Sequence, residues 1–318
     1  MLISTTPQKH FSYSKDPVLF MREKWLAISA ISWQFKYIIP FDYQTDFIES
    51  VHKSTFTIAV KTRQMHISSM MALYIAWYAL FNKNKNVVII SNSLEGGIRI
   101  VEAIRVILQG YSVTDIFHWE DDFIINNKTE ITLKNGCKIK AYAPSPEATK
   151  GYDIDFMYVD EAAYVTHFDN IHTSLSMCLT NLKDSKYVVA STPKDNSTFN
   201  EMFLNSNNSD SCSVINLHWS LHPIYSKGIK NNIDKNSPFL YSSPWFDDLV
   251  KNRYMGNVNA VEQELECIVR YKKKSNKSKT ISLRLDTDLY KQIQCKLQED
   301  ESVSDYIRNL ISKDIKSQ

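Results

Sequence analysis

Between Val60 and Ser69 the chain reads Val-Lys-Thr-Arg-Gln-Met-His-Ile-Ser-Ser, with a short apolar run before it and a longer one after it. A strand, a tight turn and a helix N-terminus together bind phosphate. The turn and the first helical residues offer backbone N–H groups that have no intrahelical acceptor. A lysine that reaches the β- and γ-phosphates, and a hydroxyl for a magnesium ion, complete such a loop. The usual G-x-x-x-x-G-K-[ST] spelling is absent, so the context fits where the letters do not. Further on, Phe156-Met-Tyr-Val-Asp160-Glu161 is an apolar run that ends in two acids. At a strand tip, one acid would serve a divalent cation and the other an attacking water. Each piece alone has an ordinary explanation. Asp-Glu after a strand is a common capped helix start, and Lys61 and Arg63 would sit equally well on a solvated surface. The histidines His118, His167, His172, His218 and His222 have no zinc-type spacing.

Taken in order, the pieces resemble the ATPase domain of phage terminase large subunits. The loop is similar to that family's deviant Walker A, written K-[AS]-R-Q-[LM]-G-I-S, in which the lysine moves to the front. The resemblance implies that Lys61 senses phosphate, that Ser68 is a Mg²⁺ ligand, and that Arg63 stabilises the transferring phosphoryl group. Thr62, Gln64, Met65, His66, Ile67 and Ser69 would complete the nucleotide-binding loop. Phe41-Asp-Tyr-Gln44 resembles the adenine-recognition motif, with Gln44 on the base edge and Tyr43 packed beside it. Phe156–Glu161 resembles Walker B, with Asp160 serving Mg²⁺ and Glu161 the water. Ala190-Ser-Thr-Pro193 resembles the coupling motif, a strand end whose hydroxyls, on Ser191 and Thr192, would sense the γ-phosphate. Tyr142-Ala-Pro-Ser-Pro, Thr149-Lys-Gly151 and the closing Glu262-Gln-Glu-Leu-Glu-Cys267 also fall in the family's order, so the resemblance covers roughly residues 35–268. It departs mildly at Thr62 and seriously at His66, where the family has glycine. Glycine there allows positive φ and close backbone approach to phosphate. Histidine tolerates positive φ better than most residues, but its ring would crowd the nucleotide.

The elements that must position these residues alternate. Phe56–Val60 reads as a strand, Ser68–Phe81 as a buried helix, Asn86–Ser91 as a strand and Glu95–Leu108 as a helix. Further strands are expected at Ile154–Val159, Tyr187–Ala190 and Val214–Leu217. Such alternation argues an α/β class, a mainly parallel sheet flanked by helices, and the resemblance implies that it is of P-loop NTPase type. Thr129–Lys134 and Cys137–Tyr142 flank Asn135-Gly136, a two-residue hairpin signal. Trp25, Ile28, Ile31 and Phe35 recur three or four apart, which predicts an N-terminal helix packed on the core. The 318 residues, 43% hydrophobic and 23% charged, suit a soluble chain with one large domain and a small one. Five dispersed cysteines point to reduced thiols, and no signal peptide or membrane-length apolar stretch is visible.

Net charge is only +2, but seven of the fifteen residues from Arg270 to Arg284 are basic and none is acidic. The expected division is residues 1–269 as ATPase domain, 270–278 as basic linker and 279–318 as a β-α-α module. Lys279–Leu285 alternates, with Ile281, Leu283 and Leu285 on one face and Thr280, Ser282 and Arg284 on the other. Two amphipathic segments follow. The tail thus resembles a ribbon-helix-helix domain, which pairs as a dimer and lays its strands in the major groove. That implies base contacts from Thr280, Ser282 and Arg284, and phosphate contacts near Ser302 and Ser304. The stretch after Cys267 is too short for the RNase H-like nuclease of a full terminase, so no nuclease activity is expected. The function implied is an ATP- and Mg²⁺-dependent motor of viral DNA packaging in the host cytoplasm, away from membranes. It would act on double-stranded DNA with a portal protein and small terminase subunit, as a homo-oligomeric ring. The rival readings are a DNA-binding regulator and a prophage remnant with a vestigial ATPase fold.

Overall fold

The structure is a computed structural model and describes residues 7–24, 26–28, 35–37, 39–111, 122–145, 153–176, 185–232 and 237–271, with Tyr306. The chain divides into two compact units, Met1–Lys272 and Lys273–Gln318. The ribbon-helix-helix reading of the tail, with Thr280, Ser282, Arg284, Ser302 and Ser304, lies outside the described residues.

In the first unit the elements around the sheet run α1 (Asp42–Lys53), β1 (Phe56–Lys61), α2 (Ile67–Phe81), β2 (Asn86–Ile90) and α3 (Leu94–Tyr111). Next come β3 (Phe123–Asn126), β4 (Glu130–Leu133), β5 (Lys138–Tyr142), β6 (Phe156–Asp160) and α4 (Phe168–Ser176). Finally β7 (Lys186–Ser191), α5 (Thr198–Asn205), β8 (Cys212–Leu217), α6 (Pro244–Asp248) and α7 (Val258–Glu264) follow. The strands form one eight-stranded sheet in the order β8-β1-β7-β6-β2-β5-β4-β3. Pairing is parallel from β8 through β5 and antiparallel through β4 and β3. The mainly parallel α/β sheet expected from the alternation is therefore present, and each strand expected between Phe56 and Leu217 lies within two residues of its expected bounds.

Helix α2 is buried all round rather than amphipathic, since Met70, Met71, Leu73, Tyr74, Ile75 and Trp77 all lie inside. This is why its sequence carries an unbroken apolar run instead of a stripe. It shares one core with α1, α3 and one face of the sheet. A second core around Ile58, Val60, Met157, Val159, Phe168 and Phe199 fills the other face. A smaller third core gathers Trp219, Phe239, Phe246, Val261 and Leu265. The hairpin between β4 and β5 is present, but its loop is Lys134, Asn135 and Gly136 rather than two residues: Leu133 and Cys137 face each other, and Gly136 alone takes a positive φ, +86°, as in a turn closed by a glycine bulge. The sequence signal at β3 is weak because it is a largely exposed edge strand without the alternation of a half-buried one.

Among the described residues of the span Trp25–Phe35 the expected N-terminal helix is not formed. Leu26–Ile28 and Phe35–Tyr37 pair instead as short antiparallel strands. The helices lie earlier, at Pro7–Lys15 and Pro17–Lys24. Each of these starts on a proline, whose fixed φ and missing N–H suit the first helical position. The three-or-four spacing misled because Ile, Phe and Tyr have high strand preference, and backbone pairing between the two segments outweighs a loose periodicity. No helix among the described residues is long and apolar enough to cross a membrane.

Candidate nucleotide site

Parallel strands β1, β7, β6 and β2 end at the same edge of the sheet, and the crevice outside such ends is where α/β sheets bind ligands. Lys61 closes β1 and Asp160 closes β6, with β7 between them. The Lys61 ammonium donates to Glu161 Oε1 at 2.6 Å with only 8% of its side chain exposed. Burial alone would favour the neutral amine. The charges of Asp160 and Glu161 outweigh it and hold Lys61 above its ordinary value. Asp160 is buried, and its carboxyl is raised by that burial against the opposing pull of Lys61. Its two oxygens accept from the Tyr158 hydroxyl at 2.8 Å and the Ser68 hydroxyl at 2.9 Å.

A cavity of about 440 Å³ opens over the loop, lined by Lys61, Arg63, the run Gln64 to Ser69, Asn92, Glu161 and Tyr164. A second cavity of about 350 Å³ adjoins it, sharing Ser68, Ser69, Asn92 and Glu161 and reaching Asp160 and Arg99. The turn that lines the first cavity is built from left-handed residues: Gln64 has φ +67° and His66 has φ +56°, ψ +27°. Histidine thus takes the conformation for which glycine is the usual choice. It serves as the cap of α2 without a side-chain cap hydrogen bond, which leaves the N–H groups of the first helical turn free of a capping side chain. Glu161 is left-handed too, at φ +52°. Three strained non-glycine residues gathered at one mouth mark a place where function outweighs backbone ease.

The remaining expected residues separate into two groups. Ile67, Ser68 and Ser69 begin α2 and face the cavity with Gln64, Met65 and His66. Thr62 does not face it: its hydroxyl donates to the Leu265 carbonyl at 2.6 Å and fastens the loop to the segment after α7. Arg63 forms a two-pronged pair with Glu264, whose backbone carbonyl also accepts the Arg63 N–H at 3.0 Å. Tyr43 and Gln44 are 6% and 2% exposed. The Tyr43 hydroxyl donates to the Met65 carbonyl at 3.1 Å. The Gln44 amide accepts from the Phe41 N–H at 3.0 Å and donates to the same Met65 carbonyl at 3.5 Å. Thr192 is buried, with its hydroxyl on Tyr164 at 3.3 Å. In the coupling segment Ser191 meets the acid, donating to Glu161 Oε2 at 3.5 Å while accepting the Ala163 N–H at 3.1 Å.

Sequence reasoning gave no site role to Tyr158, Asn92, Tyr164 and Glu264, while Ser191 fell among the hydroxyls of the coupling motif. Asn92 was within reach of the rule that ligands gather at parallel strand ends. Glu264 stood in the closing motif, but its pairing with Arg63, 201 positions away, left no mark in the sequence.

The oxygens of Ser68 and Asp160 suit a small hard cation. Such an ion takes one or two carboxylates and draws its remaining ligands from water and substrate phosphate. Among the described residues no three His, Cys, Asp or Glu side chains form a closed metal cage.

The large terminase ATPase domain of Thermus phage P74-26, in a mutant form, matches with TM-score 0.52 at 15% identity, over 72% of this chain and 93% of that one. The HK97 bacteriophage large terminase matches with TM-score 0.51 at 15% identity, over 65% of this chain and 44% of that one. The large terminase of a thermophilic bacteriophage, in complex with ADP, matches with TM-score 0.50 at 12% identity, over 73% and 54%. At these identities the likeness is one of fold, and the chain spans about half the length of the HK97 protein and of the ADP-bound one. The family model for the terminase large subunit, T4-like virus type, N-terminal, matches residues 67–275, which is more than half of the sequence. The chain therefore belongs to the terminase large subunit family, through its N-terminal domain.

Proposed function

We propose that this protein binds ATP in the cavity over the Lys61–Ser69 loop and hydrolyses it to drive DNA movement during viral packaging. The observation that carries the reading is the Lys61–Glu161 contact at 2.6 Å beside the Ser68–Asp160 contact at 2.9 Å, at the mouth of a cavity sized for a triphosphate. The ADP held by the thermophilic bacteriophage relative agrees with it. Ser68 and Asp160 would hold a magnesium ion, which supplies charge neutralisation to the phosphate oxygens. Lys61 exchanges Glu161 for phosphate oxygen when nucleotide arrives. Glu161, released from Lys61, then orients the attacking water and accepts its proton. Ser191 steadies the other carboxylate oxygen. Arg63 would turn from Glu264 toward the transferring group, where a guanidinium spreads over phosphate oxygens.

The finer parts rest on sequence and family. Residues 279–318 would read duplex DNA through Thr280, Ser282 and Arg284, with Ser302 and Ser304 on phosphate. A portal protein, a small terminase subunit and further copies of this chain would complete the motor. The test is steady-state phosphate release with ATP, Mg²⁺ and DNA. Turnover that rises with DNA and vanishes in Lys61→Ala supports the motor. Tight nucleotide binding with turnover at the level of that variant overturns it in favour of a nucleotide-responsive DNA-binding regulator. Replacing Thr280, Ser282 and Arg284 together with alanine should relax sequence preference in a gel-shift assay.

A further inference from the structure

A loop that receives polyphosphate must turn its carbonyls away from the anion and its N–H groups toward it. In a trans peptide the C=O and the following N–H point in opposite directions, so anchoring a carbonyl fixes the next N–H. Two successive carbonyls of this loop are anchored by side chains. Met65 is held by Tyr43 and Gln44 from α1. Gln64 is held from another direction, by the Tyr225 hydroxyl at 3.2 Å across 161 positions of sequence.

Tyr225 is itself clamped. Its ring lies between the His222 imidazole, 3.6 Å away and 10° from parallel, and the Trp245 indole of α6, 4.0 Å away and 5° from parallel. Its backbone carbonyl accepts the Ser243 hydroxyl at 2.7 Å, and its N–H and that of Ile224 donate to His222 Nδ1 at 3.4 and 3.2 Å. His222 also packs edge-on against Phe41 and tilted against Tyr43, so both anchoring arms meet on one imidazole. Beyond Trp245 the third core continues through Trp219 and Phe246.

We infer that Tyr225 is a positioning residue for polyphosphate binding. It holds the Gln64 carbonyl outward, presents the Met65 N–H to the cavity with the loop already shaped, and links loop occupancy to the His222–Tyr225–Trp245 stack. The inference rests on the proposed nucleotide site and adds to it a residue that never touches the ligand. Preorganisation is its source of affinity, because the left-handed turn at Gln64 and His66 would otherwise relax when the site empties.

The experiment compares wild type with Tyr225→Phe, which deletes one hydroxyl and keeps the stack, by calorimetric titration with ATP and separately with inorganic tripolyphosphate. The expected result is binding about three- to tenfold weaker for both ligands in Tyr225→Phe, the size of one net hydrogen bond, with the melting temperature unchanged. Tyr225→Leu, which also removes the ring between His222 and Trp245, should weaken binding further and lower the melting temperature. Wild-type affinity for tripolyphosphate in Tyr225→Phe overturns the role. Wild-type protein that binds neither ligand overturns both this inference and the nucleotide site. Wild-type protein that binds without turnover defeats only the hydrolytic reading, and the Tyr225→Phe comparison still decides.

Discussion

Two lysines on neighbouring strands are satisfied in opposite ways. Lys61, at the end of β1, meets carboxylates, and their charges keep it firmly cationic. Lys186, at the start of β7, meets only backbone carbonyls: those of Val51, His52 and Ser54 accept its amine at 3.0, 2.7 and 3.0 Å. These are the last carbonyls of α1 and its cap, and burial against them lowers Lys186 to about 8. Carbonyl dipoles offset less of the desolvation of an ammonium than full negative charges do. The difference teaches what each contact is for. A carbonyl cage is part of the fold and cannot leave. A carboxylate partner is exchangeable for another anion, and the Lys61 end of the sheet is the one that opens on a cavity.

The contrast breaks most visibly in turnover. Lys61→Ala should lower ATP hydrolysis by roughly a thousandfold or more, while Lys186→Met stays within about threefold of wild type. Equal losses in the two variants, measured by phosphate release, would erase the distinction. Glu161→Gln should cost about a hundred- to ten-thousandfold in turnover yet leave ATP affinity equal or tighter, since Lys61 no longer has a competing carboxylate. A calorimetric titration that finds markedly weaker binding would instead make Glu161 a ligand contact.

A smaller effect belongs to pH. Because the folded-state value of Lys186 lies below its ordinary 10.5, the unfolded chain binds more protons between about pH 8 and 10.5. Lys186 therefore favours the folded state increasingly as pH rises through that window, with a slope of at most about 1.4 kcal/mol per pH unit. The wild-type unfolding free energy should climb relative to that of Lys186→Met from pH 8 to 10.5 in urea titrations. A flat difference would mean that the carbonyls hold the ammonium as well as acids do. The smallest effect is at His66. His66→Gly should relieve the left-handed strain but add freedom to the unfolded chain, so stability should shift by less than about 1 kcal/mol. ATP binding should tighten a few-fold as the ring leaves the cavity; weaker binding would make the imidazole itself a phosphate contact.

Much of this was visible beforehand. The alternation of apolar runs marked the strands from Phe56 to Leu217 apart from β3, and the Asn135-Gly136 pair marked the hairpin though not its three-residue loop, in which Gly136 alone is left-handed. Lys61, Ser68, Asp160 and Glu161 stood out by type and order, and the fold brings them to one crevice. The N-terminal strands at Leu26–Ile28 and Phe35–Tyr37 did not stand out, since three-residue strands leave no period to detect.

Sequence by itself determined the strand-turn-helix unit around Lys61, the acid pair at the end of β6 and the α/β class, because local apolar patterning and residue type mark each element even where its sheet partners are distant. Tertiary structure alone decided which partners those residues keep. Gln44 and Tyr43 hold the Met65 carbonyl, Arg63 rests on Glu264, and Tyr225 reaches Gln64 from the far side of the loop. Such pairings follow from strand order and from the packing of α7 and the third core, which bring together groups that no window of sequence contains.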